Sequence, residues 1–202
     1  LQTELHIDDE FVVKEGYLTV IPYSFGKKEK QECSISILDN SESIKLESTK
    51  SNGGEFVIEA LKPGTTKVRV SSIDDPDLYK DVKIKVKKNA SIDFNFQMMS
   101  YDGLPVKQDA NGYYVMSYGE MYEFHMNSNA VPRKMKSIYQ SLLDSGILTG
   151  QGGAAAGMAN GVIEEFGSSM AGKVGSAEIE IFDGIVLKFR IVADAERADY
   201  GE

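Results

Sequence analysis

The segment Gly54 to Val70, GEFVIEALKPGTTKVRV, constrains the fold more than any other part of the chain. Phe56, Ile58 and Ala60 share one parity in its first run, and Val68 and Val70 share one in its second. Alternation with period two is what a strand shows when one face is buried and the other solvated. Lys62, Pro63, Gly64 and Thr65 lie between the runs, where proline pre-sets φ for a turn and glycine supplies positive φ. The segment reads as strand, turn, strand, the repeating unit of an all-β sandwich.

The same pattern recurs across the first ninety residues. Strands are expected near Phe11 to Val13, Tyr17 to Tyr23, Cys33 to Leu38, Ile44 to Glu47, Glu55 to Ala60, Thr66 to Ser71 and Asp81 to Val86. Glu15-Gly16, Asn52-Gly53-Gly54 and Pro63-Gly64 mark turns. Short strands with turn signals every eight to twelve residues, and no helical period, are the sequence picture of a β-sandwich. In the last strand Val82, Ile84 and Val86 oppose Lys83, Lys85 and Lys87, so the lysine face is expected in solvent.

At 202 residues the chain suits one or two domains of roughly 100 to 150 residues. Composition divides it at Lys87 to Ala90. Residues 1–90 carry 16 acidic and 14 basic side chains, a net of -2; the remainder carries 15 and 8, a net of -7. All eight methionines lie between Met98 and Met170, and nine of the 19 glycines between Gly146 and Gly175. The expected organisation is a β-sandwich over 1–88 and a second β-rich (α+β) domain over 91–202, carrying a helical and glycine-rich insertion at 132–175.

In the second half Ile92, Phe94, Phe96 and Met98 alternate, turns follow at Tyr101 to Pro105 and Asp109 to Gly112, and Tyr114, Met116 and Tyr118 share a face expected in the core. Gly119-Glu120 breaks that run before Tyr122, Phe124 and Met126 resume it, much as Glu15-Gly16 breaks Val13 to Val20, hinting at two related strand pairs. Ala177 to Phe182 and Ile185 to Val192 flank Asp183-Gly184 and read as a hairpin burying Ile179, Ile181, Leu187, Phe189 and Ile191. Met135, Ile138, Tyr139, Leu142 and Leu143 recur at three and four, predicting a short amphipathic helix between Pro132 and Gly146. Gly153, Gly157 and Gly161 then stand at intervals of four among alanines. Three readings stay open for 146–175: a flexible surface loop, a close-packed or binding-induced helix at small-residue spacing, and a phosphate loop, against which the lack of a GxxxxGK[ST] arrangement weighs.

Chemistry is sparsely encoded. A net charge of -9 lacks the basic footprint of a nucleic-acid binder, and 42% hydrophobic against 26% charged residues supports a packed core rather than disorder. No apolar run approaches the roughly 20 residues of a spanning helix, so the sequence is read as a soluble fragment or mature form. Cys33 is the single cysteine and falls on an apolar strand face with Ile35 and Ile37, where a buried thiol is expected rather than a disulfide or a metal ligand. His6 and His125 are the only histidines, both expected at the surface. Without HExxH or a GxSxG elbow, no metal, cofactor or catalytic residue is assigned. Asp74, Asp75 and Asp77, and Asp109 with Asn111 and Gly112, resemble fragments of calcium loops but read as solvated turns. Tyr101, Tyr113, Tyr114, Tyr118 and Tyr122 fall within 22 positions. Tyrosine joins apolar area to a hydrogen-bonding tip, so Tyr101 and Tyr113, the pair expected to be exposed, are candidate contacts for a sugar or protein. Gly153, Gly157 and Gly161 are the other candidate partner contacts.

The order EGYLTV, ESTKSNGGEFVIEALKPGTTKVRVSS and KDVKIKVK resembles the bacterial immunoglobulin-like (Big-type) domains of surface and exported proteins, over residues 5–88. The likeness is carried by the glycine-led strand, the apolar-x-Pro-Gly turn, the valine-rich strand and the terminal strand. It implies no catalytic residues and no cofactor. It does imply an exported or cell-surface module, a lipid anchor attached upstream being one mode, working by adhesion, assembly or spacing through protein contacts. A glycan-binding accessory module of a surface polysaccharide-processing system is the alternative, and a small hydrolase a third.

Overall fold

A computed structural model describes residues 4–26 and 32–194. The chain groups into two compact units: the first holds 1–93 with 128–133 and 159–163, the second holds 94–127, 134–158 and 164–202.

The first unit is the expected sandwich. One sheet contains β1 (Glu10–Lys14), β3 (Cys33–Ile37), β5 (Lys50–Ser51), β7 (Gly64–Ser72) and β8 (Tyr79–Lys87) in the order β1-β8-β7-β3-β5. The other contains β2 (Tyr17–Pro22), β4 (Ile44–Leu46), β6 (Glu55–Ala60) and β12 (Ala130–Pro132) in the order β12-β2-β6-β4. Strand β6 alternates as predicted, with Phe56, Ile58 and Ala60 buried, and Val68 and Val70 of β7 join Val82, Ile84 and Val86 of β8 in one core with Val13, Ile21 and Ile35. Cys33 is fully buried there, and burial pushes its thiol above the ordinary cysteine range. Two features lay outside the sequence pattern. The two-residue β5 is too short and polar to show a period, and β12 comes from far along the chain to pair with the edge of β2 through Ala130–Thr19, Val131–Leu18 and Pro132–Tyr17.

The second unit packs a three-stranded sheet, β10 (Tyr113–Ser117), β16 (Ile185–Val192) and β15 (Gly175–Phe182), and a four-stranded sheet, β13 (Gly153–Ala159), β14 (Val162–Met170), β11 (Met121–Ser128) and β9 (Phe94–Ser100), each in that order. Met116, Phe189 and Ile191 from the first sheet meet Met98, Tyr122, Phe124 and Met126 from the second. The hinted kinship of strand pairs has a geometric form. In both units one strand lies parallel to the closing one, β1 on β8 and β10 on β16, and then a positive-φ glycine, Gly16 or Gly119, passes the chain to the other sheet. The hairpin of β15 and β16 forms about Asp183-Gly184 with the predicted face inward.

Three expectations are corrected. The helix predicted between Pro132 and Gly146 is confined to α1 (Ile138–Asp144), because Pro132 belongs to β12 and the helix begins only at the cap Ser137, whose side chain accepts from the Gln140 N–H. Residues 153–170 form neither a loop nor a helix but the hairpin of β13 and β14. Its turn is Asn160-Gly161, both residues at positive φ (53° and 77°), as a two-residue hairpin with the right strand twist requires. Finally, Tyr118 is 56% exposed rather than buried with Tyr114 and Met116, because β10 ends at Ser117 and Tyr118 enters the turn.

Candidate functional site

The hairpin gives the second unit an exposed sheet edge. β13 is the terminal strand of its sheet, six of its seven residues are exposed, and side chains added at Gly153 or Gly157 would meet nothing within 4 Å. Its residues, Gly, Ala and one Met, place no charge and no proline along that edge. Strand edges carry unpaired backbone donors and acceptors and are ordinarily guarded by charge, proline or bulges; β13 has neither charge nor proline.

Beside it lies a groove of about 590 Å³ lined by residues of β9, β11, β13 and β14. Its floor is apolar, formed by Met99 of β9, Phe124 of β11 and Phe166 of β14, and its wall is the backbone and methyl groups of Gly153, Ala154 and Ala155. Position 167 leaves no room for a side chain: a Cβ there would lie 2.8 Å from both Phe124 Cε2 and the Gly153 carbonyl oxygen. The polar lining comes from Glu123, His125 and Glu164, with Ser168 at one end, and neither Lys nor Arg contributes. His125 Nε2 stands 3.4 Å from Glu164 Oε1, so the imidazole N–H faces a carboxylate oxygen. Phe166 and Met158 are 51% and 48% exposed, adding apolar area on the same hairpin.

Glu165, next to the groove in sequence, points the other way. It is buried and its carboxylate accepts the backbone N–H groups of Ile138 (3.0 Å) and Tyr139 (2.8 Å), the first donors of α1. These N–H groups have no partner inside a helix, and a carboxylate suits them in both hydrogen bonding and dipole. Glu164 and Glu165 thus divide the labour of β14: one faces the groove, the other anchors the helix beneath.

Of the residues singled out from sequence, Gly153 lines the groove, Gly157 lies further along the same edge, and Gly161 makes the hairpin turn. Tyr101 is 81% exposed in the turn after β9. Tyr113 is half-buried: its hydroxyl donates to Glu178 (3.0 Å), which raises its pKa, and Lys188 Nζ sits 5.4 Å from its ring centre. Neither tyrosine belongs to the groove lining. His125 lies at the surface as expected, its side chain 35% exposed beside Glu164. Glu123, His125, Glu164 and Phe166 were not singled out as a site. Their signal was present in the odd-numbered outer face of β11 and in the Asn160-Gly161 turn that fixes β14, but neither names a ligand.

The acidic turns are occupied by the protein itself. Asp109 Oδ1 accepts from the N–H groups of Asn111 and Tyr113, which with Arg190 at 3.2 Å from Oδ2 hold its carboxyl below the usual range. Asp75 Oδ1 accepts from the Asp77 N–H. Among the described residues no group of three or more His, Cys, Asp or Glu side chains is placed to hold a metal ion, and no helix is long and apolar enough to cross a membrane.

No family model matches the sequence, and no curated protein matches it. Among solved structures, domains 4 to 9 of the surface layer protein SbsC are similar with a TM-score of 0.41 at 10% identity, over 95% of this chain and 32% of that one. The Escherichia coli adhesin FdeC aligns with a TM-score of 0.28 at 14% identity, over 95% and 64%. A longer portion of the SbsC S-layer protein aligns at 0.24 and 15% identity, over 96% and 28%. The chain spans about a third of the first of these structures and under two thirds of each of the others.

Proposed function

We propose that this chain is a non-enzymatic module of a bacterial envelope, exported and acting through protein contacts in adhesion, assembly or spacing. The observation that carries the reading is the unguarded edge of β13: seven uncharged residues, six of them exposed, built of glycine and alanine but for Met158. Strand edges of this kind recruit extended segments of other proteins by main-chain hydrogen bonding. Support for the compartment comes from the Big-type resemblance of residues 5–88, with a boundary at 88–91 as its structural corollary. A glycan-binding role would rest on Tyr101 alone, since the Tyr113 hydroxyl and ring are engaged by Glu178 and Lys188.

Hydrogen exchange tests the reading. Amides 153–159 are expected to exchange rapidly in the isolated chain and to slow when solubilised envelope protein is added, with no slowing after that fraction is treated with protease. Unchanged exchange, together with binding on a glycan array that Tyr101→Ala removes, would replace the protein-contact reading with the carbohydrate one.

A further inference from the structure

The edge and the groove adjoin, and together they specify a partner more narrowly than either does. We propose that β13 accepts an extended, basic segment of a partner protein as an added strand, with a lysine or arginine side chain crossing β13 into the acidic groove. This rests on the protein-contact reading above and names the chemistry of the partner.

The geometry supports the crossing. An added strand would lie two strand spacings, about 10 Å, from β14, which carries Glu164. That is within the combined reach of an extended lysine and a glutamate. The two-residue turn at Asn160-Gly161 sets Glu164 across from Gly157, which has no side chain, with the Ala155 methyl beside it on the same face of β13, so an aliphatic stem can cross there while its charged head reaches the carboxylates. Glu123 and Glu164 supply two carboxylates against the one imidazole of His125, and no lining residue is Lys or Arg. Exposed Phe166 offers an apolar or cation–π surface to the same side chain. A second copy of this chain fits poorly, because the chain carries a net charge of -9 and pairing two β13 edges would bring the two acidic grooves together.

The test uses the whole chain and an acetylated heptapeptide of alternating lysine and valine, matched in length to β13, with the glutamate–valine heptapeptide as its counterpart. The basic peptide is expected to slow exchange at amides 153–159 and to bind about tenfold more tightly than the acidic one, a preference that shrinks in high salt. Methylating its backbone nitrogens along one edge is expected to abolish binding, since strand addition needs those donors. The surface double variant Glu123→Gln, Glu164→Gln, whose fold is checked by circular dichroism, is expected to erase the preference for the basic peptide while the slowing at 153–159 persists.

Equal binding of both peptides, binding by the methylated peptide, or protection elsewhere than 153–159 would overturn the proposal. So would concentration-dependent self-association that protects 153–159 without peptide, which makes a second copy the occupant. Envelope-protein binding measured on the same double variant keeps the two readings separate: binding that persists with 153–159 unprotected overturns strand addition and leaves the wider protein-contact role standing.

Discussion

Three buried side chains, Glu165, Cys33 and Tyr23, show how individual residues are held and support two predictions. The Glu165 carboxylate accepts from the N–H groups of both Ile138 and Tyr139, so Glu165→Ala takes the acceptor from two N–H groups at a buried to half-buried helix start. An orphaned buried donor costs about 1–3 kcal/mol. Denaturant titration should therefore show a loss of that order, with Glu165→Gln falling between the two because it keeps one acceptor. Cys33 and Tyr23 set the alkaline limit of the first unit. Burial raises both pKa values, and the Tyr23 hydroxyl also donates to Ser51 Oγ at 2.9 Å. A raised folded pKa means that between the unfolded and folded values the unfolded state has lost a proton the folded state keeps, so stability falls as pH rises. The decline should begin near the unfolded cysteine value of about 8.5 and steepen past the tyrosine value of about 10. Cys33→Ala should remove the first part of that slope and leave the second, which thermal unfolding between pH 7 and 11 would read directly; an unchanged slope below pH 10 would exclude the thiol as its source.

At the scale of elements, legibility depended on whether side chains advertise a period. Strands β6, β7 and β8 were readable because bulky apolar residues alternate with charged ones, so burial of one face is written into the residue types. β13 was not, because glycine and alanine are equally compatible with either face of a strand or any side of a helix, and the glycines at 153, 157 and 161 mimic helical spacing. The decisive cue was local: Asn160-Gly161 flanked by runs of similar length, a turn that only residues tolerant of positive φ can make. The helix start was likewise local, since Ser137 three residues before Gln140 is an N-terminal capping pattern that places the boundary five residues beyond Pro132. The groove was unreadable for another reason: Glu123, His125 and Glu164 come from two strands about forty residues apart, and nothing in either strand specifies the pairing. The hairpin makes its own prediction. Gly161→Ala puts a Cβ on a residue at φ 77°, at a cost of about 1 kcal/mol. Because β13 is an exposed edge, the cost should appear as faster exchange confined to amides 153–159, with the midpoint of global unfolding nearly unchanged; a cooperative loss of the whole second unit would instead show that β13 is integral to its core.

At the scale of the whole molecule, the first unit is not contained in the residues that encode its pattern. Its sandwich was legible from alternation alone, yet one sheet is completed by β12, which is separated from β2 by more than a hundred residues. The reason is the exposed edge that β2 would otherwise present. Pairing with Ala130, Val131 and Pro132 covers it, the Val20 N–H donates to the Asn129 carbonyl at 2.9 Å, the Arg133 N–H donates to the Gly16 carbonyl at 3.2 Å, and the Arg133 guanidinium contacts Glu47. Pro132 ends the strand, and a proline in a sheet is tolerated where its missing donor faces away from a partner. β12 therefore has the short length and the proline that limit further pairing, so the sheet ends there rather than at a long unpaired β2. The fragment 1–93 keeps every core side chain from Val13 to Val86 but loses these three or so ladder bonds, each contributing about 0.5–1.5 kcal/mol net. It should fold to a β-rich circular dichroism spectrum, unfold at lower denaturant than residues 1–133, and self-associate on size exclusion as concentration rises, because Leu18 and Val20 then carry open backbone groups at an edge. Adding a peptide of residues 127–134 should suppress that association and recover part of the stability. A monomeric fragment as stable as residues 1–133 would mean that β12 merely rests on a unit already complete without it.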